Sequence, residues 1–198
     1  MKKDLAGVFT DLKDNLEQAL KGTESLVDQV AGRMVDASRG IDLKTEHPGD
    51  ELIKKLQRPV HKIIKEAVNQ KKDLRVVTKG IIIGVFRVSR KIREEAHQTI
   101  GLITAIIIKA ISKGGGDLKS ATRGIINGFA DVAKEQDLNK GEAIAKASVC
   151  ALETAHKIDP DSSRKVKKVI NEKISGARQI FKKATFKKVS SGNKRTAG

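Results

Sequence analysis

The chain has 198 residues, with 40 Lys and Arg against 24 Asp and Glu for a net charge of +16, no Trp, no Tyr, five Phe and three Pro. That length fits one domain, or one domain with a tail, and a core of Ile, Leu, Val and Ala with so little proline favours packed helices over a sheet sandwich. The single cysteine, Cys150, excludes an intrachain disulfide, and the surplus of cations points to an anionic partner: nucleic acid, an acidic membrane face or another polyanion.

Met1-Lys2-Lys3-Asp4 leads into a charged segment with no apolar run behind it, so no secretory signal is read. A first helix is predicted over Lys3–Lys21, carried by Leu5, Val8, Leu12, Leu16 and Leu20. Gly22 ends it, and Thr23 caps a second helix that runs to about Arg39 before Gly40. Residues 41–49 read as a loop closing on His47-Pro48-Gly49, after which Asp50 caps a helix that Pro59 kinks or restarts.

Asp73 caps the next helix, where Leu74, Val77, Ile81, Val85, Val88 and Ile92 fall on one face. Its partner is predicted from about Gln98 to Ser112, and Gly114-Gly115-Gly116 breaks the chain. The apolar run from Thr99 to Ala110, interrupted by Lys109, is shorter than the roughly 20 residues that cross a bilayer. A cytoplasmic location is therefore expected. Asp117 caps a further helix on Leu118, Ala121, Ile125, Phe129 and Val132. A turn over Asp137–Gly141 leads to a helix over Glu142–Lys157, in which Cys150 reads as a small buried hydrophobe. Asp159-Pro160-Asp161 breaks the chain again, a last helix runs to about Ala184, and Ser190–Gly198 are expected to be disordered.

Two of these helices match each other. Asp73-Leu74-Arg75, then Thr78-Lys79-Gly80-Ile81-Ile82-Ile83-Gly84, lines up at an offset of 44 with Asp117-Leu118-Lys119, then Thr122-Arg123-Gly124-Ile125-Ile126-Asn127-Gly128. Weaker echoes at the same offset join Ile63-Ile64-Lys65 to Ile107-Ile108-Lys109 and Ile126-Asn127 to Ile170-Asn171. A period of this size suits a helical hairpin. The pairs Gly80/Gly84 and Gly124/Gly128 are expected at close helix–helix contacts, since glycine inside a helix costs about 1 kcal/mol and brings no side chain to hold a neighbour off. The expected fold is an all-α bundle of helical hairpins with this internal repeat and a basic amphipathic C-terminal helix. Its divisions are N-terminal helices over 1–72, a two-copy core over 73–160 and a basic arm over 161–198.

Charge is concentrated in that arm. Residues 1–72 are nearly neutral at +2, whereas residues 161–198 hold twelve cations against two carboxylates, net +10. The apolar arc of the last helix is Val166, Val169, Ile170, Ile174, Ala177, Ile180, Phe181 and Ala184. The expected anion-binding residues are Arg164, Lys165, Lys167, Lys168, Lys173, Arg178, Lys182, Lys183, Lys187, Lys188, Lys194 and Arg195. Phosphate neutralisation needs many cations without fixed spacing, and the lack of aromatic platforms argues against reading single-stranded bases. A nucleoid- or histone-like, sequence-nonspecific DNA-binding protein is the leading expectation, with a homo-oligomer open. Length and helical composition also resemble the phasins, the amphipathic coat proteins of storage granules, although no motif carries that resemblance. It implies a coat on a granule or an anionic membrane.

One constellation has catalytic spacing. Glu94…His97 and Glu153…His156 place a carboxylate and an imidazole one helical turn apart, the arrangement of di-metal carboxylate bundles, for which Glu66 together with Glu135 or Glu142 would complete the ligand set. Both pairs lie off the predicted apolar stripes, so exposed side chains are the preferred reading. No phosphate-binding loop, nucleophile elbow, paired-cysteine zinc site or dinucleotide fingerprint occurs. No enzyme activity and no cofactor are expected.

Overall fold

A computed structural model describes residues 26–39, 48–88 and 96–173. Those residues form seven helices and no strand. Helix α1 covers 26–37, followed by α2 Pro48–Asn69, α3 Leu74–Arg87, α4 Ala96–Lys113, α5 Leu118–Glu135, α6 Lys140–Ile158 and α7 Pro160–Lys173. The helix predicted over Lys3–Lys21, the loop over 41–47, Ile92 and everything past Lys173, including the expected tail, lie outside the described residues.

The helices stack in two layers. In one, α3 packs chiefly on α5 and α5 on α7; in the other, α4 lies between α2 and α6. Helix α1 joins the first layer against α3, where Val27, Val30, Ala31 and Met34 meet Gly80 and Gly84. The core fills the space between layers with Ile, Leu, Val and Ala and two phenylalanines, Phe86 and Phe129, whose rings meet edge to face with centroids 5.7 Å apart. Helix α3 is buried on nearly every side, because α1 and α5 flank it and α2 covers it: Ile82, Ile83 and Phe86 are buried together with the predicted stripe of Leu74, Val77, Ile81 and Val85. Helix α6 turns inward a face of small residues, Ala143, Ala147, Ser148, Ala151 and Ala155, which lets its neighbours come close.

The joints are set by local chemistry. Asp73 and Asp117 sit in extended backbone at helix N-caps and accept from the amides of Arg75 and Lys119. Before each of them the preceding helix closes with one wide hydrogen bond, Lys72 N to Ala67 O and Gly116 N to Ile111 O, both 2.9 Å, around a residue of positive φ, Lys71 and Gly115. Helix α5 ends the same way at Asp137, with Leu138 N donating to Ala133 O.

Helix α2 departs from expectation at both ends of the argument. It begins at Pro48 rather than after Asp50 and runs unbroken through Pro59. A proline in the first turn removes an amide that would have no helical partner. At Pro59 the lost backbone bond costs about 3 kcal/mol. Leu52 and Leu56 before it and Ile63 and Ile64 after it are all buried on one continuous face, at about 1.5–3 kcal/mol each. Ending the helix at the proline would forfeit more than the bond is worth.

Candidate nucleic-acid interface

The described part of the expected basic arm is α7. Asp159 starts it by accepting from the Ser162 amide and the Ser162 hydroxyl, both at 2.7 Å. Those two bonds, the backbone one foremost, hold its carboxyl below the ordinary aspartate value. Val166, Val169 and Ile170 are buried and belong to the common core, so this part of the apolar arc packs on α5 and α6.

The cations of α7 divide into two sets. Lys165 lies 2.7 Å and Arg164 3.3 Å from Asp161 one turn earlier. The hydrogen bond to Lys165 lowers the Asp161 pKa and raises that of the lysine. Lys167 and Lys168 are exposed, and no ion pair engages them among the described residues. Glu172, the arm's other carboxylate, pairs with Arg123 of α5 at 2.9 Å and ties the helix to the stack. The side chain of Lys173, and Arg178, Lys182, Lys183, Lys187, Lys188, Lys194 and Arg195, lie outside the described residues.

The four glycines sit at helix contacts. A Cβ on Gly80 or Gly84 would stand 2.8 and 2.7 Å from the carbonyls of Val27 and Ala31 in α1, and one on Gly124 or Gly128 would stand 2.0 Å from Thr78 Oγ1 and 2.9 Å from Ile82 Cβ in α3. Each pair thus receives the preceding helix of its layer. Ion pairs brace the same ladder: Arg87 reaches Asp28 and Glu135 at 3.4 Å, and Lys79 reaches Asp131 at 2.7 Å.

Of the two Glu-x-x-His pairs only the second lies wholly within the described residues. Glu153 and His156 are both exposed on α6, while Glu94 and the side chain of His97 lie outside the described residues. Of the supplementary carboxylates, Glu66 is taken by Arg33 at 2.8 Å, which holds its carboxyl below the usual range, and Glu135 by Arg87. No group of three or more His, Cys, Asp and Glu that could hold a metal occurs among the described residues. Cys150 is half-buried instead of fully enclosed; Gly101 of α4 makes room for it, since a Cβ there would lie 3.2 Å from Sγ. Burial pushes the Cys150 thiol up in pKa, away from thiolate chemistry.

Three open clefts carry cationic walls. One of about 350 Å³ lies between Arg75 of α3, Arg123 and Asn127 of α5 and Val169 of α7. Two others share His61: one of about 710 Å³ with Lys54, Lys55 and Arg58, the second of about 430 Å³ with Lys65 of α2 and Lys113 of α4. The α2 cations went unread in the sequence because the near-zero net charge of residues 1–72 averages over their positions. Their spacing on a helix was the available signal. Among the described residues no helix is long and apolar enough to cross a membrane. Compared with known protein families, curated proteins and solved structures, the chain matches none.

Proposed function

We propose that this chain is a non-catalytic, cytoplasmic, sequence-nonspecific nucleic-acid-binding protein: a stack of helical hairpins on a period of about 44 residues that offers its surplus cations to phosphate through α7 and the residues following it. The observation that carries the reading is the division of labour on α7. Its apolar side chains Val166, Val169 and Ile170 are consumed in docking, while Lys167 and Lys168 face solvent without carboxylate partners among the described residues. A rigidly docked helix keeps such charges aimed outward, and phosphate contact needs little else. Support for the period comes from the joints at Lys71–Asp73 and Gly115–Asp117, which use the same wide hydrogen bond and the same aspartate cap.

The coat reading is less favoured. A surface helix lies on lipid by burying its apolar face there, and the described part of that face is already occupied by α5 and α6.

The test is binding of a duplex of about 20 base pairs by the full chain and by a full-length variant with Gln at Lys167, Lys168, Lys182, Lys183, Lys187 and Lys188. The expected result is weaker binding by the variant and a flatter salt dependence, about 0.9 of slope per lost phosphate contact. Equal affinities and slopes would remove the arm from the interface. Co-flotation with anionic vesicles, in a chain that does not bind the duplex, would transfer the reading to a lipid coat.

A further inference from the structure

We infer that the outer face of α2, with the C-terminal half of α4 beside it, is a second phosphate-binding track, separate from α7 and fitted to the backbone of a nucleic acid. The inference rests on the nucleic-acid reading above and adds a second contact surface to it.

Lys54, Arg58, His61 and Lys65 are spaced four, three and four residues apart in α2, which puts them in one row along the helix. Lys54, Arg58 and Lys65 are exposed and His61 half-buried. His61 Nδ1 lies 2.8 Å from the Gln57 carbonyl; a carbonyl only accepts, so this nitrogen carries the proton and the ring is held along the helix. Helix α4 packs against α2 and adds Lys109 and Lys113, both exposed and one turn apart. The two clefts that meet at His61 join Lys54, Arg58, His61, Lys65 and Lys113 into one groove, and no described carboxylate lines either of them.

The two described carboxylates of α2 are already engaged. Glu66 is held by Arg33 of α1 at 2.8 Å, and Glu51 by Lys55 at 3.3 Å at the far end of the row.

The dimensions and chemistry of the groove select the ligand. From Lys54 to Lys65 the row extends about 16 Å at 1.5 Å per residue, a length of duplex axis along which one strand carries about five phosphates, at 3.4 Å of axis each. Of the lining side chains only Val68 and Ala110 are apolar, too little surface to insert into lipid. The exposed large hydrophobics of the described residues, Leu102 and Ile158, line neither cleft. No aromatic side chain lines the groove either, so it would follow the backbone without stacking on bases. Helix α2 opens one layer of the stack and α7 closes the other, and their principal contacts are with different helices. A chain with both surfaces therefore contacts phosphate at two places.

The experiment uses the full-length chain and the variant Lys54→Gln, Arg58→Gln, Lys65→Gln, Lys113→Gln, titrated with a duplex of about 20 base pairs at several salt concentrations. All four side chains are exposed, so the variant should melt with the parent, which circular dichroism checks. The expected result is a loss of affinity of about 10- to 100-fold near 0.1 M salt, with a log–log salt slope shallower by about three to four. The single variant Glu51→Gln, which frees Lys55, is expected to steepen the slope by up to about one. If the parent binds and the fourfold variant matches it in affinity and slope, the track is refuted while the role of the arm stands. If the parent binds no duplex, both fall. If the fourfold variant loses only flotation with phosphatidylserine vesicles, the groove serves lipid and the inference is overturned.

Discussion

A Cβ placed on Gly124 would stand 2.0 Å from Thr78 Oγ1, so α3 and α5 cross where only a hydrogen fits. The threonine hydroxyl is itself part of the contact, lying 2.7 Å from the Leu74 carbonyl of its own helix and 3.0 Å from the Ala121 carbonyl of α5. The two helices are joined by polar groups at a place where backbone nearly touches backbone.

Gly124→Ala is expected to destabilise the fold by about 3 kcal/mol or more, at or beyond the upper end for overpacking. The new methyl also meets the Arg75 carbonyl at 2.2 Å, and backbone has no rotamer to turn away. Gly128→Ala meets only the Ile82 side chain, nearest at 2.9 Å, and should cost about 1 kcal/mol after the gain in helix propensity. Urea unfolding of the two variants measures the difference; equal losses would mean that the contact relaxes freely.

Gly32 makes the opposite case. It is exposed in α1 with nothing within 4 Å of a built Cβ. Gly32→Ala should stabilise by about 0.5–1 kcal/mol, read as a rise in the urea midpoint at unchanged slope.

Asp73 does more than cap α3. Its carboxylate accepts from the Arg75 amide at 2.8 Å and from the Ser120 hydroxyl at 3.0 Å, and Ser120 Oγ in turn lies 3.1 Å from the same amide. Asp73→Ala is therefore expected to cost more than Asp117→Ala, against about 1 kcal/mol for an ordinary cap. In a double-mutant cycle Asp73 should couple to Ser120; additivity would show that the bond across helices contributes nothing.

Acid should weaken the fold through three carboxylates whose pKa is lowered: Asp159 by the Ser162 amide and hydroxyl, Asp161 by Lys165, and Glu66 by Arg33. A depressed folded pKa gives stability that is complete above the unfolded values, 3.8 for the aspartates and 4.5 for the glutamate, and is lost as pH falls through the folded ones. Thermal melts should be flat above about pH 6 and fall below about pH 4.5. Asp159→Asn, still able to cap, should show a smaller fall; an unchanged profile would exclude the Asp159 contribution.

The helical fold was legible because its signals are local. Asp73 and Asp117 mark helix starts, Gly115 a helix end, and apolar spacing the helix faces. That α2 continues through Pro59 rather than restarting there was not legible, since Pro59 is a strong local stop signal that only the buried face on both sides of it overrides. Lys71 takes up positive φ without any residue type that announces it, whereas Asp137, at the head of the predicted turn, is of a type that tolerates the left-handed region. For α3 a one-sided stripe was read where three neighbouring helices bury the helix almost entirely, a consequence of layering that spacing alone does not carry. In the arm, Asp161 at three and four residues before Arg164 and Lys165 was a readable ion-pair signal. The α2 cations were hidden by averaging, because a net charge summed over residues 1–72 does not show which cations share one face of a helix.

The most direct measurement is duplex-DNA binding by the full-length chain across about 50–300 mM salt. The chain has neither Trp nor Tyr, so nucleic acid carried through purification shows plainly in its absorbance and can be removed first. Saturable binding whose logarithm falls linearly with log salt, at a slope of several phosphate contacts, is the predicted result. Absence of binding at the lowest salt would contradict the account.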